Sequence, residues 1–97
     1  MILSFRDQGT EDLFKGVSSK AARKRLPSQL WKVGGRKLDA LDQAESLEDL
    51  RVPPGNRLES LSGDRAGEYS IRINDQYRIC FIWTAGGVEQ VEVVDYH

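Results

Sequence analysis

Tyr69, Ile71 and Ile73 alternate with Ser70, Arg72 and Asn74, the period-two pattern of a strand with one apolar and one polar face. Asn74-Asp75-Gln76 then supplies a turn, Arg78 to Thr84 is β-branched and aromatic, and Ala85-Gly86-Gly87 supplies a second turn before the valine-rich run Val88 to Tyr96. Two hairpins are predicted. Leu58 to Leu61 adds a short strand ahead of the Ser62-Gly63-Asp64 turn, and Ile2 to Phe5 a first one.

The chain between these strands has a different period. Leu30, Gly34, Leu38 and Leu41 recur at the spacing of one helix face, opened by Pro27 and Ser28. Gly34 and Gly35 each cost about 1 kcal/mol there relative to alanine, so the pattern predicts either close packing at that point or a kink. Thr10, ahead of Glu11, Asp12, Leu13 and Phe14, predicts the N-cap of a short helix ending near Gly16. Val17 to Arg25 shows no clear apolar period and reads as an exposed basic loop or a partly helical one. Leu47 and Leu50 allow one further turn before Pro53-Pro54-Gly55 stops regular structure. Helices first and an antiparallel sheet afterwards predict an α+β fold with the helices on one sheet face. Ninety-seven residues suit a single domain, 1–97.

Composition removes several function classes. The longest apolar run, Ile79 to Trp83, is far short of the roughly 20 residues a membrane helix needs, and MILSFRD has no export-signal pattern. Cys80 is the one cysteine and His97 the one histidine, so neither a disulfide nor a standard zinc site is expected. No cofactor or metal is expected, and a cytoplasmic location is. No phosphate-cradling glycine motif and no strand-to-helix nucleophile turn is present, which argues against a nucleotide hydrolase and a serine hydrolase.

The net charge of −1 conceals a polarised chain. Lys15 to Lys37 holds eight basic residues and no acid, and Asp39 to Asp49 five acids and no base. That block is either a solvated surface or, through Lys32, Arg36 and Lys37, a surface for RNA phosphates. Downstream of Val52 all basic residues are arginines: Arg57, Arg65, Arg72 and Arg78.

The predicted strand order gathers Arg72, Arg78, Asp95, Tyr96 and His97. Cleaving RNA without a metal needs a base for the 2′-hydroxyl, an acid for the leaving 5′-oxygen, and cations for the charge on phosphorus. Imidazole, phenol and guanidinium cover those roles, a phenol acting as base only beside cations. Each residue also has a structural account: Tyr96 and Trp83 as packing aromatics, Arg72 and Arg78 as cross-hairpin partners of Asp75 or Glu92.

Three stretches go further. Asn56-Arg57-Leu58-Glu59 through Gly63-Asp64-Arg65-Ala66-Gly67, the run Ser70-Ile71-Arg72-Ile73-Asn74-Asp75-Gln76-Tyr77-Arg78-Ile79-Cys80-Phe81, and Asp95-Tyr96-His97 resemble the HigB branch of the RelE/ParE toxins. MILSF and Arg36-Lys37-Leu38-Asp39-Ala40-Leu41-Asp42 resemble it too, so the likeness spans nearly the whole chain and is weakest from Val17 to Gly35. The resemblance implies a RelE-like twisted sheet and a type II toxin that cleaves mRNA on the translating ribosome. It also implies silencing by a helix-turn-helix antitoxin of the HigA type, with operator DNA bound only through that complex. By position it makes Arg78, Asp95, Tyr96 and His97 catalytic, and places Asn74, Arg65 and Arg72 in the family's motifs, with Arg65 and Arg72 as RNA-binding residues. Base reading in RNA uses stacking on aromatic or guanidinium planes, so Tyr77, Trp83 or Arg65 is expected to line the mRNA path. Some relatives carry a histidine and a lysine before GDR, where this chain has Glu59 and Ser62. His97 and Tyr96 are then the proton-transfer pair, Arg78 steadies the phosphorane, Asp95 orients His97 or touches the substrate backbone, and Glu59 is the alternative base. Competing readings are a non-catalytic inhibitor of DNA gyrase of the ParE kind, and a weakly active toxin that serves mainly as antitoxin-bound co-repressor.

Overall fold

A computed structural model describes residues 1–96; His97 lies outside the described residues. The fold is α+β as expected. Helix α1 (Gln8–Lys15), α2 (Lys20–Arg25) and α3 (Trp31–Gln43) precede a four-stranded sheet of β1 (Glu59–Ser60), β2 (Tyr69–Arg72), β3 (Tyr77–Thr84) and β4 (Gly87–Asp95). The strands run in order β1-β2-β3-β4, each antiparallel to the next. Short 3-10 turns at Leu47–Arg51 and Pro54–Asn56 connect α3 to the sheet, and a third at Gly63–Arg65 lies between β1 and β2.

The two sheet faces differ. Ile71, Ile79, Phe81, Val91 and Val93 bury against Leu13, Leu26, Leu38 and Leu41 of the helices. Ser70, Arg78 and Cys80 point the other way by register, Ser70 opposite Cys80 and Arg72 opposite Arg78. That second face is not simply the wet one that alternation predicts. Ser70 is fully buried, because Arg78 lies across it and donates a hydrogen bond to its hydroxyl.

Helix α1 starts earlier than Thr10. Asp7 is its N-cap, accepting from the Thr10 amide at 2.7 Å, and Thr10 is fully buried, its hydroxyl donating to Asp7 and accepting from the Val93 amide. The residue read as a cap is a tie between α1 and β4. Gly16 does close the helix, in the left-handed conformation.

The stretch Val17 to Arg25 takes the partly helical alternative and contains α2. Ser19 caps it through the Ala22 amide, and Ala22 and Leu26 at i and i+4 are fully buried. Two apolar contacts over a turn and a half leave no readable period, yet they suffice to seat the helix. Gly9 allows α1 to approach α2: a Cβ built there would lie 2.4 Å from the Ala21 carbonyl oxygen. Helix α3 has no kink at its glycines. Gly34 is buried against Leu26, whose Cδ2 would lie 2.7 Å from an added Cβ, so close packing is the outcome there.

Ile2 to Phe5 does not form a full strand. Ile2 and Phe5 make isolated parallel bridges to Val88 and Val91 of β4. Between them β4 bulges, with Gln90 at φ +55° and its amide donating to the Ser4 hydroxyl, so the ladder is interrupted.

Candidate functional site

Arg78 is a buried cation, 8% exposed, near the start of β3. Its Nε donates to Ser70 Oγ at 2.8 Å, and its Nη2 donates to the Arg57 carbonyl at 2.6 Å. Two elements thereby fix the guanidinium plane: β2 through Ser70, and the loop before β1 through Arg57. Arg57 has φ +46°, a left-handed conformation that turns its carbonyl toward Arg78. Bonds to uncharged acceptors hold the fork without neutralising it.

Three predicted residues surround this fork. The Arg78 Cζ lies 5.8 Å from the centre of the Tyr96 ring, a cation–π contact. Tyr96 is held by its amide, which donates to the Gln76 carbonyl at 2.6 Å, and the residue is 41% exposed. The Glu59 carboxylate stands 3.7 Å from Arg78 Nη2 and is half exposed. Arg72, directly across from Arg78, pairs with Asp75 of the turn, the cross-hairpin partner expected for it.

Asp95 is one residue out of phase. It lies opposite Tyr77 in the β3–β4 register, and its carboxylate accepts from the Gln76 amide at 3.2 Å. Asn74 closes the same turn by accepting from the Gln76 and Tyr77 amides. The turn thus holds both the tail of β4 and the Arg72 side chain.

Arg65 is engaged elsewhere. It bonds Glu68 at 3.1 Å and Glu92 at 3.0 Å, and Arg6 joins the same two acids. Glu92 was an expected partner of Arg78, but these arginines take it. Cys80 lies buried between its strand neighbours, and burial pushes its thiol pKa up, so it is a poor nucleophile. Trp83 packs against the core near the other end of the hairpin, where it lines a cavity of about 420 Å³ with Met1, Glu45 and Gly86. No group of three or more His, Cys, Asp or Glu among the described residues could hold a metal ion.

On α3, Lys32 and Arg36 are exposed one turn apart. Lys37 turns inward and bonds Asn56, a buried residue whose amide nitrogen donates to the Leu50 and Val52 carbonyls. Burial, then the charges of Arg36 and Arg72, lower the Lys37 pKa from the ordinary lysine value. Ser70, Asn56 and the Arg57 carbonyl were not foreseen as parts of this region. A serine on the polar phase of a strand, and an asparagine after Pro-Pro-Gly, read as surface.

A sequence profile described as a RelE-like toxin of the type II toxin-antitoxin system HigB matches residues 3–97. The chain belongs to the HigB-like toxin family. It is 41% identical over 86 residues to Toxin HigB-1 of Vibrio cholerae serotype O1, covering 89% of this chain and 87% of that one. It is 34% identical over 98 residues to Endoribonuclease HigB of Proteus vulgaris, covering both chains in full. Its fold is similar to that in a YoeB-YefM complex from Staphylococcus aureus, with TM-score 0.61 at 18% identity, covering 100% of this chain and 98% of that one. A HigB-like toxin of a type II system has an antitoxin for a partner. Among the described residues, no helix is long and apolar enough to cross a membrane.

Proposed function

We propose that this HigB-like toxin is an endoribonuclease that cleaves mRNA on the translating ribosome, by acid/base catalysis from side chains alone. The observation that carries the reading is the Arg78 fork, buried and held by uncharged acceptors, with the Glu59 carboxylate and the Tyr96 ring beside it. The name of the Proteus vulgaris relative supports it.

In this reading a base removes the 2′-hydroxyl proton, the 2′-oxygen bonds to phosphorus, and the P–O5′ bond breaks as an acid protonates the 5′-oxygen. The products are a 2′,3′-cyclic phosphate and a free 5′-hydroxyl. Arg78 stabilises the charge that builds on the phosphoryl oxygens, in a place where burial strengthens the interaction. Tyr96 and His97 are the proton-transfer pair, with Asp95 orienting His97. Glu59 is the alternative base: its half-exposed carboxylate is an acceptor already within reach of the phosphate-binding cation. Arg65 supports the site by anchoring the loop that leads from β1 to β2.

Lys32 and Arg36 on α3, with the basic residues of α2, steer the domain to ribosomal RNA, an attraction that salt weakens. A HigA-like helix-turn-helix antitoxin silences the toxin, operator DNA is bound only through that complex, and the reaction takes place in the cytoplasm.

Primer extension on cellular mRNA after induction tests the reading. New 5′ ends within translated codons, absent for Arg78→Ala, are expected. Intact messages with broken DNA, as for a gyrase poison, or full toxicity in Arg78→Ala, overturn it.

A further inference from the structure

Lys37 and Arg78 are anchored by consecutive residues. The ammonium of Lys37 donates to the side chain of Asn56, and the guanidinium of Arg78 donates to the carbonyl of Arg57. Asn56 is 1% exposed, and its amide nitrogen donates to the Leu50 and Val52 carbonyls, so its side chain is fixed with the oxygen presented to the lysine.

Lys37 differs from Arg78 in lacking any carboxylate within reach. Among the described residues it makes no ion pair, and Arg36 beside it makes none either. A part-buried ammonium that faces a neutral amide and two guanidiniums is costly to keep charged, and an arriving anion offsets that cost. The space for one is present: a cleft of about 270 Å³ lined by Val33, Arg36, Lys37, Ala40, Pro53 and Asn56. Its cations stand above an apolar floor, which suits a phosphodiester flanked by sugar and base better than a bare carboxylate. Arg72 joins this cleft to the site already described, because it lies opposite Arg78 in the sheet and its charge reaches Lys37.

The geometry points to a second phosphate-binding point: the Lys37–Asn56 cleft takes a neighbouring backbone phosphate of the RNA strand whose scissile phosphate lies at Arg78. The inference rests on the reading of Arg78 as the scissile-phosphate residue and adds a register to it. Two fixed cations, tied to adjacent residues of one loop, set how far along the strand the cut falls from the anchored phosphate.

The test uses a fluorescent single-stranded RNA, fully 2′-O-methylated so that it lacks the nucleophile, with binding read by anisotropy across a salt series. Lys37→Gln and Arg36→Gln are each expected to weaken binding about fivefold at low salt, the worth of one close charge pair in a wet site. Each is expected to lower the salt slope by about 0.7, the value for one released counterion on a single strand. Arg36 is exposed and unbonded, so its variant keeps the fold where Lys37→Gln disturbs the Asn56 contact. Lys37→Arg is expected to retain the slope. Oligonucleotides with a single neutral methylphosphonate linkage locate the contact: at one position wild type and Lys37→Gln should bind alike. Unchanged slopes in both glutamine variants overturn the proposal, and so does a loss confined to antitoxin binding. A failure of Arg78→Ala to stop cleavage sinks the catalytic reading instead, and leaves the slope measurement to decide the cleft.

Discussion

Arg78 Nη2 donates to the main-chain carbonyl of Arg57 at 2.6 Å, and Arg57 holds that carbonyl in place with φ at +46°. A left-handed conformation costs a side chain about 1–2 kcal/mol, which the bond to a cation offsets. Arg57 acts through its main chain, its amide donating to the Pro54 carbonyl and its carbonyl accepting from Arg78, while its side chain is exposed.

Arg57→Gly should therefore relieve the strain while keeping the carbonyl. Against that gain stands the larger chain entropy of glycine in the unfolded state, roughly 0.5–1 kcal/mol. The expected net is a small rise in stability, between about 0 and 1.5 kcal/mol by the same figures, with toxicity retained. Thermal melts and growth inhibition check both. A fall in Tm together with lost toxicity would show that the arginine side chain, not its backbone, is what the site needs.

Ser70→Ala should cost more than its size suggests. Ser70 is fully buried, and its hydroxyl accepts from Arg78 Nε at 2.8 Å. Removing it strands a buried donor, a loss of about 1–3 kcal/mol. The guanidinium is then held by the Arg57 carbonyl and a weaker bond to the Ser70 carbonyl at 3.4 Å, so its plane can turn. On the role proposed for Arg78, misplacing the group by an ångström costs up to about a hundredfold in rate, and a fall of at least about tenfold is expected. Urea unfolding and mRNA cleavage, read side by side, decide it. Unchanged cleavage would mean that Arg78 needs no second anchor.

The sheet was readable before the site was. Tyr69 and Ile71 on one strand and Ile79 and Phe81 on the next share the core face, and turn residues at Asn74 and Gly86 mark the hairpins. Arg78 and Tyr96 were marked by a family resemblance and Glu59 by a departure from it, while by chemistry alone Arg78 and Tyr96 had ordinary structural accounts; the fold brings the three side by side. Ser70 and Asn56 stand in the same motifs without a role, because the contacts that bury them, with Arg78 in one case and Lys37 in the other, exist only in the fold. The bounds of α2 were not readable for a related reason: alanine and one leucine seat it, and its packing depends on a glycine in a different helix.

The glycines of the two helices make a paired prediction. Gly35 lies inside α3, where an added Cβ meets nothing within 4 Å. Gly35→Ala should stabilise by about 1 kcal/mol through helix propensity and a less flexible unfolded chain. Gly9 lies inside α1, where the same atom would sit 2.4 Å from the Ala21 carbonyl oxygen. Backbone cannot step aside as a side-chain tip can, so Gly9→Ala should destabilise by about 1–3 kcal/mol or more and loosen α2 from α1. Denaturant midpoints for both variants check the contrast. Equal effects would mean that the contact between α1 and α2 is looser than this packing.

Acid should unfold the protein through two aspartates that hold local turns. The Ser19 hydroxyl first, and then the Gln8 amide, donate to Asp12 and keep its pKa below the ordinary carboxylate value, against a smaller opposing push from burial. The Glu45 and Ser46 amides do the same for Asp49. A carboxylate with a lowered folded pKa binds its proton more weakly in the fold than in the unfolded chain. Its contribution is therefore complete above the unfolded value, about 3.9 for aspartate, and is lost as pH falls through the folded value. Stability should hold steady near neutrality and decline below about pH 4. Asp12→Asn keeps an acceptor for Ser19 but removes the charge, so it should melt lower than wild type at neutral pH. As pH falls through the folded value of Asp12 and both side chains become neutral, that gap should close. Melting curves for the pair across this range give the result. A gap that stays constant from neutral pH to acid would assign the loss to the shape of the asparagine, and would place the acid sensitivity of the α1–α2 junction in some other group.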